Sequence, residues 1–130
     1  MLLDTNIFLE VLLEQEKLER CADFLREILE GKKLVFISTF SIDSIVLNML
    51  WNKLSEDNIT LFLTSLFKYK GLKFYQVKIK DRIGALRLMG KYKLDYDDAL
   101  ILQCAISSKS KEIVSFDRHF DKVKEIKRIE

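Results

Sequence analysis

The chain has 130 residues, with 22 Lys and Arg against 20 Asp and Glu, and 48% of it is hydrophobic. That length suits one domain able to bury a core without staples, and the apolar content excludes an intrinsically disordered chain. Mean hydropathy is +0.01, no stretch approaches the ~18 apolar residues of a membrane span, and the first apolar run breaks at Asp4, too early for a signal peptide. The expectation is a cytoplasmic protein. Cys21 and Cys104 lie far apart without a CxxC partner, and the single histidine, His119, cannot complete a zinc site with them. Both thiols read as small buried side chains in a reducing compartment. With no proline and four glycines, the chain offers no phosphate-cradling glycine loop and no linker.

Met1 to Leu3 predicts a short strand, and Thr5 to about Leu13 a helix with Ile7, Phe8, Val11 and Leu12 on one side. A second helix runs from about Lys17 to Glu30 and stops at Gly31. Leu34 to Ile37 has the continuous apolar character of a strand buried on both faces. Ser38 and Thr39 offer caps for a helix to about Leu54, and Ser55 opens another that ends near Gly71. Lys73 to Val77 then reads as a strand, Lys80 to Gly90 as a basic amphipathic helix, and LDYDDALILQCAIS as a helix apolar nearly all round. Glu112 to Asp117 predicts a buried strand, and the closing EIKRIE a short edge strand protected by its charges. Strands alternating with helices imply right-handed crossovers and a parallel sheet covered on both faces, a three-layer α/β/α sandwich.

In such folds ligands bind outside the carboxyl ends of the strands. Asp4 directly follows the first strand and Asp117 the fourth, while Asp95, Asp97 and Asp98 open a helix. If these ends meet, the carboxylates repel one another unless a cation joins them. Oxygen ligands without Cys or His suit Mg²⁺ or Mn²⁺, and an ion so held activates water and neutralises a phosphate in attack. Capping explains each acid singly: Asp4 as the cap of the Thr5 helix, Asp95 with Asp98 as an N-cap and a first-turn acid, Asp117 as the start of a turn. It does not explain their shared position.

The charge is uneven. Residues 1–65 carry 6 basic and 11 acidic side chains, whereas residues 66–94 carry 9 basic ones against Asp81 alone. A dense basic segment suits either a phosphate backbone or a solvated surface.

LLDTNIFLE, DYDDALILQCA and IVSFDRHFDKV resemble, in order and spacing, the PIN-domain nucleases, including the VapC-type toxins of toxin-antitoxin pairs. The resemblance spans nearly the whole chain. It implies a five-stranded parallel sheet of order 3-2-1-4-5 and Mg²⁺- or Mn²⁺-dependent cleavage of single-stranded RNA. Carried over by position, Asp4, Asp98 and Asp117 are metal ligands and catalytic acids, with Asp97 sharing or replacing Asp98, and with Asn6 and Ser115 in support. The family's usual Glu after strand 2 is missing, and either Asp43 or Ser44 takes its place. Asp43 would supply a shorter catalytic carboxylate, while Ser44 would leave a weakened nuclease, or a PIN fold kept for binding RNA or protein. Lys78, Lys80, Arg82, Lys91 and Lys93 are the expected RNA contacts. Further partners implied are an antitoxin whose tail crosses the groove and a second copy of the chain. Phe36, Phe40, Trp51, Phe62, Phe67 and Phe74 fall at apolar positions and are expected mainly in the core, although Trp51, Phe62 and Phe67 also suit an interface.

Overall fold

The computed structural model describes residues 1–130. Five strands, β1 (Leu2–Leu3), β2 (Val35–Ser38), β3 (Leu72–Tyr75), β4 (Glu112–Val114) and β5 (Lys127–Ile129), form one sheet of order β3-β2-β1-β4-β5. Every neighbouring pair is parallel. This is the order that the resemblance implied. Six helices accompany the sheet: α1 (Thr5–Leu12), α2 (Leu18–Leu29), α3 (Thr39–Trp51), α4 (Glu56–Ser65), α5 (Ile79–Tyr92) and α6 (Tyr96–Ser107).

Alternation along the strands splits the core in two. Leu3, Val35, Ile37, Leu72 and Val114 face α1 to α4, meeting Ile7, Phe8, Leu25, Met49 and Phe62. Leu2 and Ile113 face the other way, onto Ala85 and Leu88 of α5 and the apolar body of α6. The sheet is thus covered by four helices on one side and two on the other. Leu2 and Leu3 are fully buried in opposite halves, each contributing about 1.5–3 kcal/mol by burial. The periodicity of α6 is weak because the sheet lies on one side of it and α5 on the other.

Two glycines are required. Gly31 ends α2 at φ +82°, and a Cβ on Gly71 would stand 1.9 Å from the Lys33 carbonyl oxygen, where the chain enters β3 beside the turn into β2.

Three expectations need correction. β4 ends at Val114: the Ser115 N–H still donates to the Ile129 carbonyl at 2.9 Å, and the chain leaves the sheet after it, with the Ser115 hydroxyl turned to Asp4 and the Asp117 backbone. Trp51 and Phe67 are not core residues: they are 85% and 83% exposed, whereas Phe62 is buried. Phe74 is partly exposed, at 43%, with its ring against Phe67. α3 is apolar on almost every side, so periodicity alone could not decide which side faced inward.

Candidate functional site

β1 and β4 are neighbours, so the residues that follow them meet at the carboxyl edge of the sheet. Asp4 is the N-cap of α1, its Oδ1 accepting from the Thr5 N–H at 2.7 Å. Its Oδ2 accepts from the Ser115 hydroxyl at 2.5 Å and from the Asn6 amide at 3.4 Å. Asn6 also donates to Ser115 Oγ at 3.3 Å, and Ser115 Oγ accepts from the Asp117 N–H at 3.0 Å. Capping and clustering are therefore not alternatives for Asp4, because one carboxylate oxygen serves each. Asn6 Oδ1 is buried with no hydrogen-bond partner.

Asp98 sits in the first turn of α6. The neighbouring N-cap, Asp95, makes no side-chain capping bond, so Asp95 and Asp98 do not form a cap pair. Asp98 instead lies with Asp117 and His119, one ligand atom from each falling within 4.8 Å of the others. The His119 Nδ1 is 3.0 Å from Asp117 Oδ1 and 3.4 Å from Asp98 Oδ2. Burial raises the pKa of Asp98 to about 6, helped by the charges of Asp117, Asp97 and Asp4 and opposed by His119. Burial also raises Asp4, against the hydrogen bonds from Ser115 and Thr5, with the charge of Asp117 adding to the rise. Carboxylates pushed upward by one another's charge are the arrangement that a divalent cation stabilises, and the oxygen donors suit a hard ion.

The remaining expected residues fall into three groups. Asp97 is exposed and acts on Asp98 only through its charge. Asp43 points outward, on the exposed line of α3 with Leu47, and no hydrogen bond or ion pair ties it to the acids; the half-buried neighbour is Ser44. The helix register thus turns Asp43 outward. Lys78, Lys80, Arg82, Lys91 and Lys93 are all exposed but divide between the two ends of α6. Lys91 pairs with Glu125 at 2.9 Å, and Lys93 lies just before α6 begins. Lys78, Lys80 and Arg82 flank Asp81, which accepts from Ser107 at the far end of α6, about 14 Å along the helix from Asp98.

Two features escaped the sequence reading. Asp81 is 1% exposed and takes hydrogen bonds from the Tyr75 hydroxyl at 2.7 Å, the Lys78 N–H at 2.9 Å and the Ser107 hydroxyl at 2.6 Å. Its standing as the one acid in a basic segment was the available signal. His119 joins the acids because it lies two residues beyond Asp117 on a tight turn, a spacing visible in DRHF.

A PIN domain family model matches residues 1–126. A search of curated protein sequences returns no match. Among solved structures, the VapBC2 complex of Rickettsia felis bound to a DNA fragment from its promoter aligns with TM-score 0.74 at 16% identity, covering 98% of this chain and 96% of that one. VapC20 of Mycobacterium tuberculosis, a sarcin-ricin-loop-cleaving toxin, aligns with TM-score 0.74 at 10% identity, over 97% and 98% of the two chains. A toxin-antitoxin complex from Klebsiella pneumoniae aligns with TM-score 0.72 at 17% identity, over 96% and 93%. These likenesses extend over the whole fold.

Proposed function

Because the chain belongs to the PIN-domain family, we propose that it is a divalent-metal-dependent endoribonuclease acting on single-stranded RNA, and the toxin of a toxin-antitoxin pair. The observation that carries this reading is the meeting of Asp4 and Asp117 at the carboxyl edge of β1 and β4, with Asp98 of α6 beside Asp117; burial, with the charge of Asp117 added, raises the pKa of both Asp4 and Asp98. Asp98 and Asp117 offer ligand atoms to Mg²⁺ or Mn²⁺, and Asp4, whose charge acts on Asp98, is the third acid of the set. When bound, such an ion lowers the pKa of a water and neutralises charge developing on the phosphate. Ser115 and Asn6 hold the Asp4 carboxylate in place, and Ser115 fixes the Asp117 backbone by the same hydroxyl. Of the five expected RNA contacts, Lys93 lies nearest in sequence to the α6 end that carries Asp98, where it could meet the RNA backbone.

The test is cleavage of single-stranded RNA by the purified chain with Mn²⁺ or Mg²⁺. Cleavage is expected to stop with a chelator and in Asp117→Asn; cleavage that survives either would remove the acids from the chemistry. The outward Asp43 favours a second reading, a site with three acids and slow turnover whose retained role is binding. Tight Mn²⁺ binding in calorimetry together with cleavage decides for the first; RNA binding without cleavage decides for the second.

The toxin-antitoxin likenesses support an antitoxin as protein partner. Leu47, Leu50 and Trp51 of α3 and Leu61 of α4 are all exposed, which supports a homodimer through these helices. Sedimentation of the chain is expected to give a dimer that Trp51→Glu dissociates, and a parent chain that sediments as a monomer removes this interface.

A further inference from the structure

His119 is the chain's single histidine. Its side chain is 66% exposed, so packing does not place the ring. The backbone does: the His119 N–H donates to Asp117 Oδ1 at 2.8 Å, and the buried Phe120 anchors the same turn. The result is an imidazole nitrogen 3.0 Å from one carboxylate oxygen and 3.4 Å from another. Around an octahedral ion with bonds of ~2.1 Å, adjacent ligand atoms stand about 3 Å apart. Both spacings match neighbouring positions of such a shell. Next to Asp4, whose charge reaches Asp98, the orphaned Asn6 Oδ1 is the kind of buried acceptor that water on a bound ion satisfies.

We propose that His119 is a nitrogen ligand of the ion held by Asp98 and Asp117, and that it makes the site prefer Mn²⁺ to Mg²⁺. The inference rests on the metal-dependent reading above. Mg²⁺ is hard, keeps its waters and takes oxygen donors; imidazole nitrogen suits first-row transition ions, whose affinities at mixed nitrogen and oxygen sites start with Mn²⁺ and rise along the series. A set of carboxylates alone separates the two ions weakly, and one nitrogen at the third position shifts the balance. His119 is a ligand here through Nδ1, the atom that faces the carboxylates.

The experiment titrates Mn²⁺ into the full chain and into His119→Ala, reading free Mn²⁺ by electron paramagnetic resonance with Mg²⁺ as competitor. Spin-echo modulation then looks for a nitrogen nucleus coupled to bound Mn²⁺. The ring is exposed, so the variant is expected to fold, which its melting temperature checks. Nitrogen coupling is expected in the parent and not in the variant, with Mn²⁺ Kd rising about tenfold and Mg²⁺ Kd changing less than about twofold. Bound Mn²⁺ without nitrogen coupling, or an unchanged preference in the variant, overturns the ligand role and leaves the metal site standing. A parent chain that binds no Mn²⁺ overturns both.

Discussion

Asp4 and Asp81 are both buried carboxylates near a helix start, 4% and 1% exposed, yet their surroundings act on them in opposite senses. Burial raises both. At Asp81 three donors, the Ser107 hydroxyl, the Lys78 N–H and the Tyr75 hydroxyl, outweigh it and hold the pKa below the ordinary carboxylate range. At Asp4 the donors from Ser115 and Thr5 do not, and the charge of Asp117 adds to the rise. Asp81 is a fully satisfied anion that ties β3, α5 and α6 together. Asp4 is a buried carboxyl whose pKa is raised first by burial and further by the charge of Asp117, the kind of site that a cation would relieve under the proposed function. Burial of an acid is thus no sign of function by itself.

The largest expected effect lies on the functional side of this contrast. Asp4→Asn is expected to lower RNA cleavage at saturating Mn²⁺ by at least about a hundredfold, while the melting temperature of the metal-free chain stays level or rises. Asp81→Ala is expected to do the reverse. It leaves three donors without an acceptor and lowers stability by about 2–4 kcal/mol in urea melts, with cleavage per folded molecule retained. Equal destabilisation by the two substitutions would erase the distinction.

A smaller effect is expected in the pH profile. Asp98 moves from 3.8 to about 6 on folding, through burial first and then the charges of its neighbours. Between those values the folded chain keeps a proton that the unfolded chain has lost, so stability falls as pH rises through the window and is level above it. Asp81 has the opposite sign: its contribution is present above the ordinary carboxylate range and is lost as pH falls below it. The metal-free chain is therefore expected to be most stable near pH ~4–5 and to lose about 1–2 kcal/mol by neutral pH, a loss that saturating Mn²⁺ restores. Urea melts across pH with and without Mn²⁺ measure this, and a metal-free profile that climbs toward neutral pH would break the contrast.

The strand order and the shared edge of Asp4 and Asp117 were legible because both depend on patterns a sequence displays: short apolar runs, each followed by an acid. Asp98 was separable from Asp97 only in three dimensions, since a helix turn decides which of two adjacent acids faces the sheet. Asp43 could not be placed inward or outward for the same reason, on a helix whose apolar residues left its inward face undefined. The Asp81 network was hidden because Ser107 lies 26 residues away and reaches it only through the packing of α5 on α6. Trp51 and Phe67 show the limit of reading aromatics as core, for their exposure follows from which face the sheet covers and not from their type.

The bond between Ser115 and Asp4 spans 111 positions of the chain. A ribosome making this chain releases Asp4 long before Asp117, and closing so long a loop is a late event in folding. The unfinished polypeptide therefore has no assembled site. If the proposed activity against RNA holds, a cell translating this message is protected from its product until the fourth strand and the turn after it have been made.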